Sequence, residues 1–336
     1  MKRVLMAALV VVMVGVVGGM AFASGKAEDG TVTIRLGHIR DTAHPTHLGA
    51  LRFAELVEQE SGGRITVKVF PNSQLGNIQE MFTQLQTGDL DMVYGGINTL
   101  AFIDGGEAFE ITAIPFLYRD YEHMRAALTA DFFAPVIRAA EKNTGVKVVN
   151  ITGDTAPRGL SANRAIREPA DFKGLKIRTA ASEVVLRVME RLGAVPQQIA
   201  FGDLYVALST GVVDAQENGA ITVANMSFYE VQDYYMRTDY IRDIETFYAS
   251  TGMWDGLSEA DRQVIIDASE EAGELVTTLT EQQLAQAYET LRKNMTVIEE
   301  PELNLPAIRA RLEGVFEDWD GVKWPAGMLD QIRNLD

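Results

Sequence analysis

The sequence predicts an α/β fold in two lobes braced by one long helix. Three observations carry this expectation. Apolar periodicity runs strand–helix–strand–helix–strand across residues 32–94. A helix–Gly–strand–Asp unit occurs twice, as QLQTGDLDMV at 84–93 and ALSTGVVDAQ at 207–216. Residues 258–294 read as almost uninterrupted helix.

The elements follow in order. Val32, Ile34 and Leu36 alternate with polar residues, as a half-buried strand requires. The loop HIRDTAHPTH follows, and Ala50, Phe53, Ala54 and Val57 then share one helix face that ends near Gly62 and Gly63. Ile65, Val67 and Val69 form a second strand, which Pro71 and Asn72 turn. Ile78, Met81, Phe82 and Leu85 form an amphipathic stripe stopped by Gly88, and 90–94 is a third strand. In the second lobe Val185, Val188, Met189 and Leu192 make a helix stripe closed by Gly193. Ser258 and Asp261 form a capping pair before the long helix.

A chain of 336 residues accommodates two domains, and an apolar fraction of 47% supplies a core. A net charge of −17 argues against nucleic acid or an anionic membrane surface as partner. Lys2 and Arg3, an apolar run from Val4 and the small-x-small site Ala21-Phe22-Ala23 read as a signal peptide cleaved near Ala23. The competing reading is an uncleaved anchor. With no cysteine, neither a disulfide framework nor a lipidated N-terminal Cys is available.

Against that acidic background, a cluster of arginines is informative. Arg158 and Arg178 bracket a turn-rich segment. In GLKIR, Leu175 and Ile177 alternate with Lys176 and Arg178, so Arg178 ends a strand beside Thr179, Ala180 and Ala181. There its planar fork can meet a carboxylate. A surface salt bridge is the plain alternative.

Enzymatic readings find little support. No H-E-x-x-H, G-x-S-x-G or P-loop pattern occurs. His44 and His47 stand three residues apart, which a metal could use on a helix, but Pro45 places the helix start between them.

One combination of motifs is specific. Residues 153–158 precede Ala162-Asn163-Arg164-Ala165-Ile166, then the block at 171–178 ending in GLKIR, then FGDLYVALSTGVVDAQENG at 201–219. QLG at 74–76 and IPF at 114–116 accompany them. The sequence resembles the substrate-binding proteins of tripartite ATP-independent periplasmic (TRAP) transporters, the C4-dicarboxylate-binding DctP-like family, over nearly all of the chain after its leader.

That resemblance implies a two-lobe periplasmic binding protein fold with a ligand cleft and a long bracing helix. The first lobe would take 30–155 and 244–283, the second 156–243 and 284–336. It implies that Arg178 clamps a ligand carboxylate, that Arg158 reaches the same group, that Phe201 packs on the ligand and that Asn218 bonds the carboxylate. Phe201 as core and Asn218 as a turn cap remain open. Arg164 and Lys176 read as structural or solvated. Ala215 and Gly219 stand where the family usually has Gly and Pro, which bears on the pose of Asn218. First-lobe candidates are Arg40, His44, Glu80, Tyr94 and Asn98, from loops after strands, where open α/β sheets bind ligands. The implied protein is an exported, monomeric carrier with no cofactor, delivering a small organic acid to a membrane permease. A carrier serving a sensor kinase and an exported hydrolase using His44 are the alternatives.

Overall fold

The computed structural model describes residues 31–335, so the leader and its cleavage point lie outside the described residues. Among the described residues no helix is long and apolar enough to cross a membrane.

The first sheet uses β1 (Val32–Gly37), β2 (Ile65–Phe70), β3 (Met92–Gly96), β4 (Val146–Asp154) and β10 (Ile244–Ser250), in the order β2-β1-β3-β10-β4. The second uses β5 (Arg158–Ala162), β6 (Lys176–Thr179), β7 (Val195–Gln198), β8 (Ala215–Gly219), β9 (Tyr234–Ile241) and β11 (Thr296–Ile298), in the order β11-β9-β5-β8-β6-β7. The α/β class and the two-lobe arrangement expected from the sequence are both present. The first sheet is mixed, not purely parallel. β1 pairs in parallel with β2 and β3, whereas β10 returns from the second lobe and runs antiparallel to β3 and β4.

The repeated unit occupies equivalent places. Helix Ile78–Thr87 ends at Gly88 (φ 78°) before β3, and helix Leu204–Ser209 is followed by Gly211 (φ 71°) before β8. A left-handed residue closes each helix turn, a position that favours glycine.

The chain passes between lobes after β4 and after β9, and again along helix Glu259–Asn294. Ser258 caps that helix, accepting from Asp261 N at 3.1 Å. Its first half buries Ile265, Ala268, Ala272 and Val276 against the first lobe. Its second half buries Ala287, Tyr288 and Leu291 against Tyr235 and its neighbours in the second. At Gly273 the helix lies so close to β4 that an added Cβ would meet Thr152 Oγ1 at 2.2 Å.

Two further contacts join the lobes. Glu110, which is buried, caps the second-lobe helix Glu183–Leu192, accepting from Ser182 Oγ (2.7 Å), Glu183 N (2.8 Å) and Val184 N (3.0 Å). The C-terminal segment pairs Asp318 with Arg187 and Lys323 with Glu183, then offers Ile332 O to His123 and Leu335 O to Arg119.

Candidate ligand-binding cavity

Strand ends from both sheets converge on a cavity of about 290 Å³ between the lobes. Arg40, Asn98 and Thr99 line it from the first lobe. Arg158, Arg178, Phe201, Glu217 and Asn218 line it from the second, with Asp243 at the second crossover. The position follows from chain geometry. β6 and β8 end here, the start of β5 contributes Arg158, and the passage from β9 to β10 contributes Asp243.

Arg178 combines a buried side chain with unused donors. Its residue is 4% exposed at the end of β6, one face round from buried Ile177. Nε donates to Ile199 O at 2.8 Å, and among the described residues neither terminal nitrogen has a partner. Desolvation pushes its pKa down to about 10; Glu217 opposes this shift, while Arg158 and Arg40 add to it. A buried guanidinium kept charged without an acid in hydrogen-bond contact is costly unless an anion arrives.

Arg158 differs. Its Nε meets Glu217 Oε2 at 2.6 Å and its Nη2 meets Oε1 at 2.7 Å, a bidentate pair. Tyr240 donates to the same carboxylate at 3.0 Å. Burial alone would lower the Arg158 pKa, but Glu217 outweighs it and holds it above the usual value. Arg158 therefore lines the cavity with two of its donors already engaged, unlike Arg178.

The other expected site residues divide. Phe201 lines the cavity, 9% exposed, under the Arg40 guanidinium at 5.7 Å from its ring centroid. Asn218 is buried on β8 and donates to Gln216 Oε1 at 2.5 Å, which leaves its carbonyl oxygen. Gly219 has φ −68°, an angle proline shares, so the glycine there does not relax the backbone into an unusual shape. Arg40 approaches Glu245 Oε1 at 3.5 Å. Asn98 follows β3, and its amide has no partner among the described residues. Tyr94 lies within β3, not in a loop. Its ring stacks on Phe247 at 3.8 Å and its hydroxyl donates to Thr152 O at 3.4 Å, so it forms wall more than contact surface.

His44 and Glu80 do not line the cavity. His44 caps the helix Pro45–Glu60, its Nδ1 accepting from Thr46 N at 3.2 Å, and its Nε2 lies 3.4 Å from Thr222 Oγ1 of the second lobe. Burial holds its pKa well below the usual value, with Arg40 and His38 adding to the shift. Glu80 is exposed and closes a capping box with Asn77. His47 bonds His38 at 3.0 Å, and among the described residues no cluster of three or more His, Cys, Asp or Glu could hold a metal ion.

Sequence reasoning missed Glu217 and Asp243. Glu217 was adjacent to a named residue, but strand alternation places neighbours on opposite faces and gave no reason to expect both buried. Asp243 is 4% exposed, and desolvation pushes its pKa up to about 7; Arg158 and Arg40 oppose this, while Glu245 adds to it.

Comparison with known proteins places this geometry. Residues 36–320 match the family model described as bacterial extracellular solute-binding protein, family 7 (DctP). A solute-binding protein of Roseobacter denitrificans is 30% identical over 280 residues, 83% of this chain and 85% of the relative. The C4-dicarboxylate-binding periplasmic protein DctP of Rhodobacter capsulatus is 29% identical over 265 residues, 78% and 79% of the two chains. The Roseobacter crystal structure, a TRAP periplasmic solute-binding protein with bound L-galactonate, superposes with a TM-score of 0.79 at 28% identity, covering 84% of this chain and 93% of that one. A TRAP periplasmic solute-binding protein of a Polaromonas species bound to D-erythronate gives a TM-score of 0.84 at 25% identity, over 90% and 99%. From the match across 36–320 and the shared two-lobe fold, the chain belongs to the DctP family of bacterial extracellular solute-binding proteins.

Proposed function

We propose that this protein captures a small organic acid in the interlobe cavity and delivers it to a TRAP-type membrane permease. The lobes would be 30–155 with 244–283, and 156–243 with 284–336. The carrier would work in the periplasm as a monomer, after loss of its leader near Ala23, and leave the solute unchanged. The observation that carries this reading is Arg178: a 4% exposed guanidinium on the cavity with both terminal nitrogens unpaired among the described residues. It suits a carboxylate bound end-on. Asn218 would accept a ligand hydroxyl through its carbonyl oxygen, and Phe201 would pack on the carbon chain. Arg158 would add charge through the one nitrogen not held by Glu217.

The rest of the wall favours a hydroxylated monocarboxylate over a dicarboxylate. Asn98 and Gln198 line the cavity with amides that have no partner among the described residues, and the remaining arginine, Arg40, stands beside Glu245. Two relatives were solved with such acids, L-galactonate and D-erythronate. The test is a mass spectrum of the small molecule released on denaturing the purified protein, followed by calorimetry with that acid. Recovery of a hydroxy acid that binds wild type and is lost in Arg178→Ala supports the assignment. Binding by Arg178→Ala within about threefold of wild type, under 1 kcal/mol, refutes it.

A further inference from the structure

The acids at this site are not equivalent. Glu217 is held by the Arg158 fork. Glu245 has Arg40 at 3.5 Å and accepts from Thr46 Oγ1 at 2.9 Å. Asp243 has no such partner among the described residues. Its Oδ1 accepts from Ile244 N at 3.0 Å, and Oδ2 rests against Gly96 on the cavity wall. A Cβ on Gly96 would lie 2.2 Å from that oxygen, so glycine there lets the carboxylate reach the cavity.

The groups facing Asp243 are Arg158 from β5, Arg40 from the loop after β1, and Glu245 and Tyr248 from β10, with Glu217 of β8 behind Arg158. With Arg178, three guanidiniums stand against three carboxylates, so the buried set is balanced while the cavity holds only water. Resting on the carboxylate reading above, capture of an anion tips this set to a net negative charge where water is scarce. Such an imbalance is costly in a low-dielectric site, and a group can escape it by neutralising. Asp243, whose oxygens meet no arginine nitrogen directly among the described residues, is the one least held in its charged form.

We propose that Asp243 takes up a proton from bulk water as the solute anion is captured, and that its protonated Oδ2 then donates a hydrogen bond to a ligand oxygen. Capture is thus proton-coupled, and affinity falls as pH rises. Burial already places this carboxyl near the required range, pushed up to about 7.

Titration calorimetry at pH 8 in two buffers of different ionisation enthalpy, phosphate and Tris, tests this with L-galactonate, D-erythronate and succinate as probes. The expected result is a buffer-dependent heat equivalent to uptake of about half a proton or more per ligand bound. Wild-type affinity should weaken by up to roughly tenfold per pH unit between pH 7 and 9. Asp243→Asn, which imitates the neutral acid, should bind with little pH dependence and at pH 9 at least as tightly as wild type. Equal heats in both buffers overturn the proposal, as does an Asp243→Asn profile as steep as wild type. The two-buffer measurement needs only the wild-type chain and decides even if the variant fails to fold. If no probe binds and no acid is recovered from denatured protein, the carboxylate reading falls, and this inference with it.

Discussion

Replacing Arg178 by Met should abolish capture and at the same time stabilise the empty protein. Methionine fills similar space without charge. A drop in guanidinium pKa from 12.5 to about 10 corresponds to about 3 kcal/mol of disfavoured charge in the folded state. Because the folded pKa is lowered, this penalty is present at every pH below about 10 and is constant between pH 6 and 8. Against it stands the loss of the Nε bond to Ile199 O, which leaves a carbonyl short of a donor at a cost of about 1–2 kcal/mol. The net gain is about 1–2 kcal/mol, roughly 1.5–3 °C in Tm for a protein of this size. Binding should weaken by about 2–5 kcal/mol, roughly 30- to several-thousand-fold, since the ligand charge would lack its partner. Scanning calorimetry on protein refolded from denaturant, and so stripped of ligand, reads the first effect; titration calorimetry reads the second. A stripped Arg178→Met protein that melts below wild type would show that the arginine is a structural strut, and the reasoning from burial would be wrong.

Other residues make separate claims. Asp243→Asn should stabilise the empty protein increasingly between pH 4 and 7. The folded carboxyl titrates at about 7 against an ordinary 3.8, so its stabilising contribution is full below about pH 4 and lost as pH rises through 7. The difference should approach on the order of 4 kcal/mol, and equal urea midpoint shifts at pH 5 and pH 8 would contradict it. Glu110→Ala removes three hydrogen bonds at a helix start and should cost about 2–3 kcal/mol in urea unfolding; a loss below 0.5 kcal/mol, roughly the effect of an ordinary surface change, would deny it a linking role. Gly273→Ala should cost about 1–3 kcal/mol through collision with Thr152, visible as a lower Tm. Ligand should shrink the radius of gyration in small-angle scattering, because a solute bridging Arg178 of one lobe and Asn98 of the other favours the closed arrangement; an unchanged profile at saturation would argue against closure.

How much of this was legible depends on what a pattern encodes. Strand alternation placed Arg178 at a strand end and helix stripes placed the layers, because burial of a face leaves a period in the sequence. Pairing leaves none. Nothing in the spacing of Arg158 and Glu217 shows that β5 and β8 lie side by side and bring them together. For Glu80 the signal was present: Asn77-x-x-Glu80 ahead of an apolar stripe is a capping box, and reading it would have removed Glu80 from the cavity list. His44 as a cap was hidden, since that position ordinarily takes Ser, Thr, Asp or Asn. Asp243 owes its character to a crossover that only the three-dimensional path reveals.

The place of β10 fixes the order in which this protein can be built. β3 and β4 are never neighbours. β10 lies between them, pairing with β3 from Glu245 to Ala249 and with β4 from Ile244 to Ser250. Those residues follow all of β5 to β9 in the chain, so the first sheet must wait, with two unsatisfied edges, until the second lobe's strands have been made. Neither lobe can then finish as an independent early unit during synthesis or passage across a membrane. Long-range pairings of this kind slow folding and leave strand edges exposed to other chains in the meantime. A chain of this design would depend on being kept unfolded until about residue 250 has arrived, and a fragment stopped at residue 155 would carry the bare β3 and β4 edges permanently.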